Sequence, residues 1–406
     1  MSFKCRFCGT TLKNEVIDLG HQPPSNAYLK CENLSEKEVT FPMKVYVCES
    51  CWLVQLPAHS KAEELFTPDY AYFSSTSESW CNHAELYVNK AEKKLNLNSD
   101  SFVIELASND GYLLQYVKAK SIPCLGIEPT MEAANESRKK GISTISEFFG
   151  VKLAKQLLND SRFNGLSDLI IANNVIAHVP DINDFLKGVS LLLKPSGYFS
   201  VEFPHLLRLM QENQFDTIYH EHYSYFSLRV LERIANFAGL YIDDVEELST
   251  HGGSLRVWFR KNKTNKITKD VTKVLDDEDK FQLENLECYS NFQSKALSIK
   301  LNLLEFLLNA KKNNQIIYAY GAAAKGNTLL NYLGVKNDLI KAVVDKAPSK
   351  QGKYLPGSHI PIVDIKELEQ NSPDFVIVFP WNLISEISKV LKGHKLVTAI
   401  PNIKFW

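Results

Sequence analysis

The sequence predicts an α/β protein in three parts, with a small loop-rich segment preceding two doubly wound sheets. Two observations carry this reading. Short apolar runs alternate with amphipathic stretches twice over, once between about residues 100 and 260 and again between about 316 and 400, as parallel strands do when helices cover both faces of their sheet. The first 67 residues lack that alternation and hold two C-x-x-C pairs. A chain of 406 residues also exceeds the length at which a single core keeps growing. The expected divisions are 1–67, 68–262 and 263–406, the last opening with a charged helical connector.

Composition narrows the function. Hydrophobic residues make up 45% of the chain and charged residues 23%, the ordinary globular range, so no covalent staples are needed. Lys plus Arg number 46 against 47 Asp plus Glu, without a long basic run, which makes nucleic acid a poor partner. No stretch approaches the ~20 apolar residues of a membrane span, and Met1-Ser2-Phe3-Lys4-Cys5 opens no signal-peptide apolar region. A cytoplasmic protein without a membrane partner is expected, as a monomer or weak oligomer.

In the first part, Cys5-Arg6-Phe7-Cys8 and Cys48-Glu49-Ser50-Cys51 have the spacing of thiolates that share a tetrahedral zinc. Cys5, Cys8, Cys48 and Cys51 would fill all four positions, so the metal folds a segment too small for its own core and takes no part in chemistry. Cys31, Cys81, Cys124 and Cys288 are scattered, and disulfides are not expected.

The second part begins with a helix near Trp80–Leu95 and continues through strands at Phe102–Leu106, Cys124–Ile127, Asp168–Ala172 and Tyr198–Phe203. Leu240–Val245 and Leu255–Phe259, flanking His251-Gly252-Gly253-Ser254, read as a closing hairpin. After the first strand comes Glu105-Leu106-Ala107-Ser108-Asn109-Asp110-Gly111-Tyr112, where such a sheet bends its backbone against a nucleotide-like ligand and a helix start offers free amides. Only one glycine stands in that loop. Glu128-Pro129, at the end of the second strand, is placed to accept from both hydroxyls of an unphosphorylated ribose. Ala172-Asn173-Asn174-Val175-Ile176-Ala177-His178-Val179 resembles the fourth-strand segment of class I methyltransferases. Together these residues point to S-adenosylmethionine, held by Glu105, Ala107, Ser108, Asn109, Gly111, Tyr112, Glu128, Pro129, Asn173 and Asn174.

Next comes a dense group of titratable and phenolic side chains, Tyr219-His220-Glu221-His222-Tyr223-Ser224-Tyr225-Phe226, before a helix that starts near Ser227. Its place is the carboxyl edge of the sheet, above the methyl donor. A metal held by His220 and His222, or aromatic packing alone, are the other readings. In a regular strand Tyr219 and Glu221 would face away from the two histidines, so a shared pocket requires an irregular loop. In the third part, Gly321-Ala322-Ala323-Ala324-Lys325-Gly326-Asn327 follows a strand and opens a helix. It suits a pyrophosphate on Lys325 and the helix amides, or close packing by small residues. Asp345 ends the following strand and keeps a nicotinamide-type ribose contact open.

The Cys pairs, Ser108-Asn109-Asp110-Gly111, Asn174 to His178, Tyr219 to Phe226, His251-Gly252-Gly253-Ser254-Leu255-Arg256 and Gly321 to Asn327 together resemble the zinc-containing nucleotide-sugar C-methyltransferases, over essentially the whole chain. Those enzymes methylate the sugar 3′ carbon of TDP-4-keto-deoxysugars. The resemblance implies His222 as base, with Tyr219 and Glu221 lining the sugar pocket and Asn174 and His178 against the substrate. It also implies a tyrosine at Tyr70 or Tyr72, with Tyr72 favoured, and a nucleotide sugar between the central and carboxyl-terminal parts near Lys325 and Asn327. A carbon beside a ketone needs one base and one donor to the enolate, which these residues supply. An oxygen- or nitrogen-methyltransferase on the same donor domain is the alternative.

Overall fold

A computed structural model of the chain describes residues 3–59, 73–160, 166–263 and 267–406; Tyr70 and Tyr72 lie outside them. The first part contributes β1 (Asn14–Gln22), β2 (Phe41–Val47) and β3 (Val54–Gln55). Alternating burial along β2, with Met43, Val45 and Val47 inward, leaves one apolar face that this segment alone cannot cover.

The central sheet is formed by β4 (Val103–Leu106), β5 (Cys124–Ile127), β6 (Thr144–Ile145), β7 (Ser167–Asn173) and β8 (Leu193–Pro204). After the two-residue β9 (Ser224–Tyr225), it is completed by β10 (Tyr241–Leu248) and β11 (Ser254–Arg260). Its order is β10-β11-β8-β7-β4-β5-β6. β11 runs antiparallel to both neighbours, which is the expected closing hairpin. The order turns back between β4 and β7, so the crevice for a ligand opens at their carboxyl ends.

The third part holds β12 (Ile317–Tyr320), β13 (Val343–Val344), β14 (Ile362–Val363), β15 (Phe375–Val378), β16 (Leu396–Thr398) and β17 (Lys404–Phe405), ordered β14-β13-β12-β15-β16-β17. This is the second doubly wound sheet. β14 and β17, two residues each, are too short to leave a periodic signal.

β9 pairs with β3, Val54 opposite Tyr225 and Gln55 opposite Ser224, so the dense titratable segment closes the amino-terminal sheet as its fourth strand. One continuous core then joins Ile17, Met43 and Val45 to Leu206 and Phe215 and on to Phe292, Leu303, Leu330 and Val343. The first part is therefore a bracket between the other two. Its cysteine end (Cys5, Cys48, Cys51, Leu53) packs instead with the central sheet's own core.

The connector is two helices, Lys269–Phe281 and Phe292–Lys312. Helical spacing in the sequence runs through Leu297, Leu301, Leu304 and Phe306-Leu307, yet the second helix buries Phe292, Ala296, Ile299, Leu303, Leu307 and Ala310. Leu297 and Leu301 stay exposed, at 44% and 56%. Two apolar stripes compete on this helix, and the one containing alanines wins because alanine allows the close approach that the bracket demands. Leu303→Ala is accordingly expected to cost ~2–5 kcal/mol and Leu301→Ala under about 0.5 kcal/mol, read from denaturant midpoints; equal losses would refute the assigned face.

Candidate active site

Two tight turns, closed by Gly9 N–H on the Cys5 carbonyl and Trp52 N–H on the Cys48 carbonyl, bring the four cysteines together. Their Sγ atoms lie within 4.8 Å of one another, with Cys5 to Cys51 and Cys8 to Cys48 each 3.5 Å apart. Ligand bonds of ~2.3 Å to a tetrahedral zinc put sulfurs about 3.8 Å apart, so the four thiolates fit that ion and leave no open position. The adjoining Arg6 donates to the Pro180 and Leu56 carbonyls and lies over the Tyr223 ring, 5.2 Å from its centroid. The metal knuckle is thus fastened to the titratable segment through one arginine. Stripping the metal with a strong chelator is expected to melt β1–β3 and, through β9, to lower methyl transfer on the order of tenfold or more. Circular dichroism and activity before and after zinc is restored test this; full activity in the stripped protein would refute the coupling.

The donor loop achieves its bend almost without glycine. Ala107 (φ 51°), Asn109 (φ 50°) and Gly111 (φ 75°) all have left-handed φ. Glu128 braces the loop from the next strand, accepting Asn109 N–H at 2.9 Å and Thr130 N–H at 2.8 Å. The Thr130 hydroxyl also donates to Oε1, so Oε2 is the oxygen that retains a lone pair for a ribose hydroxyl. Pro129 sits in the bend between them. Burial, and then the charges of Glu128 and Asp110, push the Glu105 carboxyl well up; burial raises Glu128 too. The buried Glu105 Oε2, Ser108 Oγ, Asn173 Oδ1 and both polar atoms of the Asn174 side chain have no protein partner. That set, a carboxylate, a diol acceptor and amides at the switch point, fits the amine, ribose and adenine of S-adenosylmethionine. Tyr112 is buried at the loop's end with Trp80 stacked on it at 6.3 Å. Ser74 N–H reaches Asn109 Oδ1, and the Ser75 hydroxyl reaches Asp110, tying the segment after residue 72 to the loop.

Residues 218–223 are irregular, as a shared pocket requires. His222 N–H bonds the Tyr219 carbonyl, and Tyr223 N–H bonds the Ala177 carbonyl. The turn lays the Tyr219 hydroxyl 2.7 Å from His222 Nε2, while His222 Nδ1 is 2.8 Å from the Thr217 carbonyl. A carbonyl only accepts, so Nδ1 carries the proton and Nε2 the lone pair. Burial holds His222 well below its ordinary value, with the nearby His178 adding to the effect. The His178 ring is 4.7 Å from that of His222, and burial pushes it down to about 4. Glu221 is buried and raised by burial; Asn26 donates to its Oε1 at 3.0 Å. His220 turns the other way, edge-on to Phe41 at 5.7 Å, so it does not join His222.

From the third part, Lys325 lies under Trp381, 4.6 Å from its ring, and donates to Asn382 Oδ1. Asn327 is fully buried and neither polar atom of its side chain has a partner. The adjacent Thr328 hydroxyl donates to the Ile218 carbonyl, joining this helix to the His222 turn. Asp345 is spent internally, accepting Ala322 N–H and Ala347 N–H at 2.8 Å each.

Several contributors escaped the sequence reading. Asn26 and Tyr28 lie between the two C-x-x-C pairs, outside any recognisable motif; Tyr28 donates to the Ala322 carbonyl, so this loop bridges Glu221 to the third part. Asp216, raised to about 6 by burial, accepts from Trp381 Nε1 across 165 positions. Buried Glu202 gathers His83, Thr250 and Arg256. Its position within an apolar strand was the only signal available.

The sheet order and the acid-tipped second strand, with unpartnered polar groups at the switch point, define an S-adenosylmethionine-dependent methyltransferase of the class I fold. Consecutive stretches match the families described as "Putative zinc binding domain" (residues 5–66), "Methyltransferase domain" (83–245) and "C-methyltransferase C-terminal domain" (249–401). The C-methyltransferase NovU of Streptomyces niveus is 31% identical over 404 residues, 98% of this chain and 95% of that protein. Methyltransferase calH of Penicillium decumbens is 36% identical over 93 residues, 23% of this chain and 24% of its own. Among solved structures, the PH0226 protein of Pyrococcus horikoshii OT3 covers 50% of this chain and 100% of its own, at 16% identity and a TM-score of 0.38. The chain belongs to the C-methyltransferase family.

Proposed function

We propose that the enzyme methylates C-3′ of a TDP-linked 4-keto-deoxysugar, as a step toward a branched-chain sugar. The observation that carries this reading is the Tyr219–His222–Thr217 arrangement, an imidazole locked in the tautomer whose Nε2 can take a proton. Oxygen and nitrogen acceptors need no such carbon base; a carbon beside a ketone does. Bound S-adenosylmethionine supplies an electrophilic methyl group whose carbon–sulfur bond breaks with its electron pair left on sulfur.

His222 Nε2 removes the proton from C-3′, and the electron pair of the broken C–H bond spreads onto the 4-keto oxygen before returning to form the new C–C bond. The Tyr219 hydroxyl, which donates to that nitrogen in the absence of substrate, turns to a sugar oxygen as the sugar enters. Asn174 donates to the keto oxygen, and His178 lines the same wall. Glu221 Oε2 takes a sugar hydroxyl, and Lys325 with Asn327 holds the nucleotide's phosphates. The family resemblance assigns Tyr72, outside the described residues, to the same substrate. Orientation of both reactants over the sheet edge supplies the main entropic gain.

His222→Ala is expected to abolish exchange of the sugar α-proton with solvent deuterium, followed by proton NMR of the TDP-4-keto sugar. Undiminished exchange in the variant would sink the assignment of the base. Since burial keeps His222 well below 6.5, and protonation removes its lone pair, the acid limb of kcat is expected below pH 6.5. A limb centred above that value would mean that another group titrates.

A further inference from the structure

His251 is an imidazole at the sheet edge to which neither the proposed mechanism nor the family resemblance gives a task, and its surroundings are costly to build. Its backbone is left-handed (φ 54°, ψ 18°), a conformation that costs a residue with a Cβ roughly 1–2 kcal/mol. Gly252 (φ 87°) follows; a Cβ there would run into the Trp381 ring and come within 2.8 Å of Gln214 Nε2. Gln214 Nε2 in turn donates to the Gly252 carbonyl at 2.8 Å. The turn is pinned from two sides, and the imidazole is carried inward as a result. Its Nε2 is buried without a partner.

A second residue shares the left-handed backbone and the unpartnered buried polar end. Asn174 is left-handed (φ 57°), and both polar atoms of its side chain are buried without partners. Both residues hang from Glu202. Asn174 N–H donates to the Glu202 carbonyl at 2.7 Å, and Thr250, the residue before His251, donates its hydroxyl to Glu202 Oε1 at 3.1 Å. Glu202 itself is fully buried, clamped by Arg256 Nη2 at 2.9 Å and His83 Nε2 at 3.0 Å. Burial alone would raise this carboxyl, but His83 and Arg256 keep it ionised. One fixed residue, through its backbone carbonyl and its carboxylate, therefore holds the segments of two strained residues whose polar ends are left for something that enters.

Trp80 closes the donor side, edge-on to His251 at 5.4 Å and stacked on Tyr112. Trp381, against Gly252, carries Lys325 on its face. Burial, with the Lys325 charge adding to it, keeps the His251 imidazole neutral, down to about 4, and a neutral imidazole N–H is a donor to an oxygen on which charge develops.

We propose that His251, beside Asn174, hydrogen-bonds the acceptor's carbonyl oxygen through Nε2–H as the adjacent C–H bond breaks, and is thus a catalytic residue. This rests on the proposed carbon-acid chemistry. Because asparagine tolerates left-handed backbone better than other side chains, His251→Asn keeps the turn and removes the reach of Nε2. The expected result is a fall in kcat on the order of 10²-fold, a matching fall in α-proton exchange, little change in KM for a TDP-4-keto sugar, and unaltered S-adenosylmethionine affinity by calorimetry. A variant that exchanges as fast as the parent overturns the role, as does one whose donor affinity falls as far as its kcat. Should His251→Asn fail to fold, the ring resonances of ¹⁵N-histidine-labelled parent protein decide. A His251 Nε2 signal that shifts when the keto sugar is added supports the contact, and one that stays put overturns it. A parent enzyme that exchanges no α-proton overturns the carbon-acid reading and this contact with it; exchange in the parent and equally in the variant overturns His251 alone.

Discussion

The pairing of β3 with β9 spans only two residues on each strand, yet the site depends on it. Val54 and Gln55 fix Tyr225 and Ser224, and the turn that sets Tyr219 against His222 begins five residues before β9. Gln55 also accepts Arg6 N–H through its side chain and donates to Cys5 Sγ at 3.1 Å. A closed tetrahedral metal site is stiff and chemically silent. Here its stiffness passes through Gln55 and Arg6 to a segment that would otherwise be a surface loop between two helices. Chemistry on a carbon acid needs its base held within a fraction of an ångström, and a loop without a fixed edge does not provide that.

The same logic governs the other wall. Asn174 and His251 come from segments 77 positions apart, but both are attached to Glu202, whose charge is satisfied by Arg256 and His83. A buried carboxylate is expensive unless fully paired, and this one is paired on both oxygens. Among the described residues, four of the twelve non-glycine residues with left-handed φ, Ala107, Asn109, Asn174 and His251, stand around this one crevice, where the surrounding sheet supplies the rigidity that sustains the strain.

Much of this was legible from residue order. The apolar runs marked the strands, the spacing from Glu105 to Glu128 marked the donor crevice, and the two C-x-x-C pairs marked the metal knuckles, because each rests on local periodicity or fixed spacing. Left-handed backbone at Ala107 was not legible, since alanine carries no signal for it. Nor was the Asp216–Trp381 contact, which depends on how the third sheet docks. The connector helix misled for a related reason: its leucines advertise one face, and only the shape of the partner sheet selects the other. His220 and His222, adjacent in type and spacing, separated only once the turn was seen to send one toward Phe41.

The shared core has a consequence for synthesis on the ribosome. Met43 and Val45 emerge early, but the core they belong to extends to Ile317 and Val343, so that core is completed only when nearly the whole polypeptide is made. At ~5–20 residues per second that delay is a few tens of seconds. Zinc captured by the first two knuckles gives the nascent segment a shape during the wait. Translation order and metal supply thus become partners in producing an active molecule.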